Sequence, residues 1–470
     1  MSKSSDNTAV SQNTDHFWIG GDDLCAQWDL QTGPADGQRE GNACGCRESA
    51  LDEIRILIGT LLKMETVSVL LGAGASFDCG GQLIGRVPVA IERVLVTEGA
   101  PKATTSSVAQ WLLLFYQAAR CCGATKGPIT PDEILSRRDV LEGDKPSSLD
   151  ANFEQVLAQL HRWRAALPTT GGRLQVDGSP ALSATAEDLD TALQQATRAL
   201  ACACDLPTHD KKDNLETHKA LLRKLLTRPL NLKRVNVFTL NYDTLVEQAA
   251  DAEGVVLLDG FVGTQRRIFR PESYEQDLYF PAETTEGRVH RFDRVLHLYK
   301  LHGSITWRAS EPTIDDPYGV QWVPFDPESS EPLLIYPTPA KYGETLGLPY
   351  SELFRRFSSA LSRPQSVLFV IGYGFGDEHV NAIIRQALAV PSFTLVIVDP
   401  EPKSDFVQTL REQRDRRIWI CEGPSVGTLA GFVERILPDL RDEEIRIKVL
   451  ETYRALQKDS PPEGGPSLDA

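Results

Sequence analysis

Two apolar spacings alternate along the chain. Short, nearly unbroken runs occur at Val67–Leu71, Val235–Leu240, Leu296–Leu301, Ser366–Ile371, Thr394–Val398 and Ile418–Cys421. Such runs read as strands buried on both faces. Between them lie segments whose apolar residues recur three and four apart, the helical spacing. Leu51–Leu62 leads into the first strand, and Val89–Val96 follows it after Pro88. From about residue 105 to 230 the pattern predicts helices throughout, at Ser107–Ala119, Asn152–Ala166, Ala186–Ala203 and Leu215–Leu226. The Gly/Thr-rich stretch Pro168 to Pro180 reads as a mobile linker among them. Shorter strands are predicted at Ile305–Arg308, Val320–Val323 and Leu333–Tyr336, then helices at Glu378–Leu388 and Asp405–Gln413 between the last long runs.

Buried strands alternating with helices predict the α/β class, a parallel sheet covered on both faces, here with a large all-helical insertion. The expected organisation is a flexible N-terminal arm over 1–48, the first part of the core over 49–100, and the helical insertion over 101–232. The rest of the core spans 233–440, and a charged helix with a disordered Pro/Ser/Gly-rich tail spans 441–470.

Composition narrows the classes of partner. The 470 residues are 41% hydrophobic and 24% charged, with 49 basic against 65 acidic side chains and a formal net charge of −16. An acidic surface repels phosphate backbones, so direct nucleic-acid binding is disfavoured, the short Arg266, Arg267, Arg270 cluster notwithstanding. No run approaches the ~18 apolar residues of a membrane span, and the start lacks a signal-peptide core. The nine cysteines are therefore expected as reduced thiols in a cytoplasm. His16, Cys25, Cys44 and Cys46 match no standard zinc spacing.

The chemistry gathers at strand ends. In a doubly wound sheet, ligands bind beyond the carboxyl ends of the strands. The first run empties into Gly72-Ala73-Gly74-Ala75-Ser76, small residues that let backbone N–H groups approach a pyrophosphate. The second ends in Asn241-Tyr242-Asp243, the third in His302-Gly303-Ser304, the fourth in Gly372-Tyr373-Gly374-Phe375-Gly376-Asp377, and the fifth in Asp399. Each has a plainer reading: a strand-to-helix turn, a helix cap, a loop histidine, a strand stop. Five together at one sheet edge argue for one pocket.

The ordered set G-A-G-A-S, T-x-N-Y-D (Thr239 to Asp243), K-L-H-G-S (Lys300 to Ser304) and G-Y-G-F-x-D resembles the sirtuin-like superfamily, and within it the bacterial antiphage NAD+ hydrolases. The resemblance runs from about residue 65 to 400, with Asn152-Phe153-Glu154 similar to the start of a helix in that branch's insertion. It implies a sirtuin-type Rossmann core and NAD+ as substrate. One departure matters. Deacylating sirtuins carry a zinc module of two C-x-x-C pairs after the catalytic histidine, and between His302 and Gly372 this chain has no cysteine. No zinc is expected, and cleavage of NAD+ to nicotinamide and ADP-ribose is the better reading.

The resemblance assigns catalysis to His302 and Asn241, with Asp243 binding the nicotinamide amide or favouring the cationic transition state. Gly72, Ala73, Gly74, Ala75, Ser76 and Gly303 are expected around the pyrophosphate. Gly372, Tyr373, Gly374 and Asp377 are expected to form the wall near the adenosine ribose, and Asp399 to bond a ribose diol. Breaking the ribose–nicotinamide bond develops oxocarbenium character, which suits a histidine for a ribose hydroxyl or water and an uncharged amide for positioning. The branch also implies a homo-oligomer and a regulatory partner, such as a HerA-type hexameric ATPase. An NAD+-dependent protein deacylase, a non-catalytic NAD+ or ADP-ribose sensor, and a nucleotide-sugar or phosphate-binding enzyme are the rival readings.

Overall fold

The computed structural model describes residues 15–25, 42–81, 87–100, 108–123, 130–141, 153–167, 172–176, 182–206, 215–281, 289–327, 333–335 and 348–442. Its centre is a nine-stranded sheet. Seven strands are parallel, in the order Ile418–Glu422, Phe393–Val398, Ser366–Ile371, Thr66–Leu71, Asn236–Thr239, Val295–Lys300 and Val256–Leu258. Thr66–Leu71 and Ser366–Ile371 are buried at every position, which is why neither alternates polar and apolar residues. Each fully buried Val, Leu or Ile there contributes roughly 1.5–3 kcal/mol relative to an exposed one.

The sheet forms as the apolar runs predict, and its order creates a switch point. From Thr66–Leu71 the chain builds outward on one side through Asn236–Thr239 and Val295–Lys300. It then crosses back to Ser366–Ile371 and builds outward on the other side. Helices Glu378–Leu388 and Asp405–Glu412 supply two crossovers and start where side chains cap them, Asp377 on His379 and Val380, and Ser404 on Val407.

Three expectations need correction. Part of the segment read as a flexible arm is built into the sheet: His16–Ile19 pairs antiparallel with Ile418–Glu422, and Phe17 is buried. Phe17 and Ile19 supply the apolar residues that make this pairing favourable, and an Asp23 carboxylate accepts from His16 Nδ1 at 2.6 Å and from the Phe17 N–H. The block read as all-helical contains a hairpin, Leu174–Val176 paired with Leu182–Ala184. Part of the expected linker, residues 174–176, is therefore a strand, its Val176 buried in the core of the block. Finally, the first glycine turn runs into a 3-10 helix, Ala73–Cys79, before the α-helix Val87–Gly99. Apart from residues 441–442, which are helical, the expected C-terminal helix and tail, and also Asn152, lie outside the described residues.

The helical block has its own core, built on Val87–Gly99, Gln110–Cys121, Phe153–Ala166 and Ala186–Cys204. Thr185 and Asp188 close a reciprocal capping box at the start of the last of these. Ile305, from beyond the block, is buried in the same core, with Tyr242 packed against it. Gly303–Ala309, directly after His302, lies in a five-stranded antiparallel sheet with Leu333–Ile335, Val320–Trp322, Arg267–Phe269 and Phe261–Val262. No helix among the described residues is long and apolar enough to cross a membrane.

Candidate functional site

The carboxyl ends of Thr66–Leu71 and Ser366–Ile371 lie side by side, Ile371 opposite Leu71. The two glycine turns that follow therefore meet. The Gly74 N–H donates to the Gly372 carbonyl at 2.8 Å, the Gly72 N–H to the Ile371 carbonyl at 3.0 Å, and the Ala75 N–H back to the Gly72 carbonyl at 2.9 Å. A Cβ on Gly72 would stand 2.6 Å from the Gly372 carbonyl oxygen, and one on Gly372 2.5 Å from the Ala75 nitrogen. Gly372 also has φ +65, the left-handed region that favours glycine. These three glycines are thus required by backbone-to-backbone approach. Three of the N–H groups expected around a pyrophosphate, those of Gly72, Gly74 and Ala75, already have protein acceptors. Ser76 is likewise engaged, its hydroxyl donating to the Ala73 carbonyl at 3.0 Å.

The second turn has open ground. Space lies beside Gly374 and Gly376, where an added Cβ would meet nothing within 4 Å. Neither needs to be glycine for the protein's own packing, so a ligand's close approach is a physical reason for their being bare. Phe77 stands half-exposed just after Ser76.

Asn241 sits one strand further on. Its side-chain N–H donates to the Gly72 carbonyl at 3.0 Å, and its backbone N–H to Thr239 Oγ1 at 3.0 Å. The T-x-N spacing thus ties this strand end to the first glycine turn. Asp243 is enclosed instead. It is buried, accepts from the Leu245 N–H at 3.1 Å, and heads the helix Leu245–Glu253. Burial pushes its carboxyl up to about 6, against the lowering influence of Lys300. Lys300 is itself buried and donates to the Asp243 carbonyl and, at 3.0 Å, to Glu247. The surroundings of Asp243 are those of an interior support at the head of the helix Leu245–Glu253.

His302 and Asp377 come together, 75 residues apart in sequence. His302 Nε2 lies 3.0 Å from Asp377 Oδ2. Both side chains are largely buried. Tyr242 and Phe354 flank the imidazole, with ring centroids at 6.4 and 6.3 Å. Burial alone would raise the Asp377 carboxyl, but the hydrogen bond and charge of His302 and the N–H groups of His379 and Val380 outweigh it and hold the carboxyl below its ordinary value. Gly303 follows with φ +87, turning the chain sharply out of the sheet.

The structure therefore brings Gly72–Ser76, Asn241, His302, Gly372, Gly374 and Asp377 together at the carboxyl ends of neighbouring strands. Tyr373 is buried, with its hydroxyl bonded inside the loop. Asp399 stands two strands from the first glycine turn, accepts from the Glu401 N–H at 2.8 Å, and is raised by burial and by the nearby Glu422 and Glu401 carboxylates. Three participants went unassigned in the sequence. Lys300 lies within K-L-H-G-S, and a lysine in an apolar strand signals a buried partner. Asn381 lies one helical turn after Asp377. Phe354 carries no local signal at all.

Comparison with known proteins agrees with part of this. The family model described as SIR2-like domain matches residues 235–419, which takes in Asn241, His302 and the Gly372–Asp377 turn. No curated protein matches the chain. A solved structure described as the crystal structure of a Sir2 homolog–NAD complex is similar at 11% identity, covering 77% of this chain and 93% of that one, with a TM-score of 0.26. So low a score carries no argument by itself.

Proposed function

We propose, from a SIR2-like domain over residues 235–419, that the protein hydrolyses NAD+ to nicotinamide and ADP-ribose. The observation that carries the reading is the His302–Asp377 pair at the switch point of the sheet, with the open space at Gly374 and Gly376. His302 takes a proton from water or a ribose hydroxyl as the anomeric carbon becomes positive, and Asn241 orients the ribose and the attacking water. Nicotinamide leaves as a neutral pyridine, so no strong general acid is required. The glycine turns frame the pyrophosphate, while Asp243 acts as interior support. Asp399 bonds the distal ribose.

The resemblance of the motifs Gly72–Ser76, Thr239–Asp243, Lys300–Ser304 and Gly372–Asp377 to bacterial antiphage NAD+ hydrolases supports a role as the effector of an antiphage abortive-defence system, in the cytoplasm. NAD+ loss there must await a trigger, through a homo-oligomer or a regulatory partner such as a HerA-type ATPase. Purified protein, alone and with proteins encoded beside it, is incubated with NAD+ and nicotinamide is quantified. Release is expected from the wild type and from neither His302→Ala nor Asn241→Ala, both with unchanged circular dichroism. Retained activity in both variants refutes the site. Release only when an acetylated peptide is present supports a deacylase instead, and tight NAD+ binding without release supports a sensor.

A further inference from the structure

Asp377 was expected on the wall near the adenosine ribose, yet its two oxygens are divided between other duties. Oδ2 meets His302 Nε2 at 3.0 Å, and Oδ1 accepts from the His379 and Val380 N–H groups at 2.8 and 3.4 Å. A helix cap needs only one of these oxygens. The second is aimed at the histidine.

The backbone of Asp377 is held just as closely. Its N–H donates to the Tyr373 hydroxyl oxygen at 3.0 Å. That hydroxyl has two acceptors in reach, the Asp377 carbonyl at 3.0 Å and Asn381 Oδ1 at 3.3 Å, and one proton to offer them. Asn381 donates in turn to the Phe375 carbonyl at 2.9 Å. Tyr373 is 5% and Asn381 3% exposed. Between them Phe375 adopts φ +55, a costly conformation for an aromatic residue. Its ring is wedged against Tyr373 and stacked on Phe406, at 4.8 and 5.1 Å. A strained residue is thus fixed from both sides, and what the arrangement locks is the position of one carboxylate.

We propose that Asn381, Tyr373 and Asp377 form a positioning chain that sets the tautomer and orientation of His302. The carboxylate accepts the Nε2–H, which leaves Nδ1 as the lone-pair nitrogen of the neutral ring. This rests on the reading of His302 as the group that acts on NAD+ or water. In that reading Asp377 touches no substrate and works through the imidazole.

Asp377→Asn separates this role from that of a cap, because asparagine caps helices as well as aspartate does, while its amide can donate to Nε2 and so admits the other tautomer. His302 is observed by long-range 15N–1H correlation in histidine-labelled protein and assigned with His302→Gln. The wild type is expected as the Nε2–H form. Asp377→Asn is expected to populate the Nδ1–H form, lower kcat about 100-fold or more, and leave KM within about 3-fold. Tyr373→Phe, which keeps the packing and removes the hydroxyl, is expected to lower kcat by about 3- to 30-fold with KM again preserved. An unchanged tautomer in folded Asp377→Asn overturns the proposal. So does a rise in KM with kcat intact, which would make Asp377 a ligand-binding carboxylate. Absence of nicotinamide release from every form, both alone and with the proteins encoded beside it, refutes the functional reading, and the tautomer measurement then decides the positioning chain by itself.

Discussion

Asp243 owes its proton affinity chiefly to burial. Its folded-state carboxyl sits at about 6 against an ordinary 3.8. Between those values the folded protein holds a proton that the unfolded chain has released. Stability is therefore fullest below about pH 4 and falls as the pH rises through 6, by roughly 3 kcal/mol from this one group. Asp243→Asn keeps an acceptor for the Leu245 N–H and removes the titration. The variant's advantage over wild type in urea unfolding should grow between pH 4 and 6 and then level off. A difference that does not change with pH refutes the assignment. His218 has the opposite sign: burial pushes it down to about 4, so its contribution to stability is lost as the pH falls from about 6.5 towards 4. The identities of Asp243 and Lys300 were legible as parts of motifs. Their burial was not, since it depends on which strands lie beside them.

The two glycine turns look alike in sequence and differ in what surrounds them. Gly72 has the backbone of the other turn against it, whereas Gly374 has open space. Gly72→Ala should therefore destabilise the fold by roughly 2–4 kcal/mol, since neither backbone can yield freely. Gly374→Ala should leave the melting temperature within about 2 °C, or raise it slightly through the unfolded state, while NAD+ affinity falls about 10-fold or more. Calorimetry of both variants with an NAD+ titration tests the contrast. Equal destabilisation would remove the reason for calling the second turn a ligand surface. The strands that carry these turns were readable because long apolar runs admit few other readings. The hairpin at Leu174–Val176 and Leu182–Ala184 was not, because three-residue strands show too little of a two-residue period to stand out beside long helices.

Across the whole molecule, the sheet's edge and its helical block both bear on the site. His16–Ile19 covers the free side of Ile418–Glu422. Deleting residues 1–25 should bare that edge and the partners of Phe17, lower stability by about 3 kcal/mol or more, and promote association through the exposed strand. Light scattering and thermal melting test this, and a deletion variant with the wild type's assembly state and unchanged melting would sink it. Ile305 joins the core of the helical block while its N–H donates to the Tyr242 carbonyl at 3.1 Å, so the block bears on the strand that leaves His302. The sequence pattern predicted a parallel sheet with a helical insertion, but periodicity says nothing about where separate segments touch.

The clasp between the glycine turns has a temporal consequence. Its halves, Gly72–Ser76 and Gly372–Asp377, are separated by some 300 residues (~5–20 of which are synthesised per second), so roughly 15–60 s pass between their emergence from a ribosome. Until Ser366–Ile371 has been made and has docked beside Thr66–Leu71, no site exists in which a substrate could be held. A nascent chain is therefore inert however well its helical block has folded. If the protein consumes a metabolite its own translation depends on, this topology delays that activity until Ser366–Ile371 and the turn after it have been made.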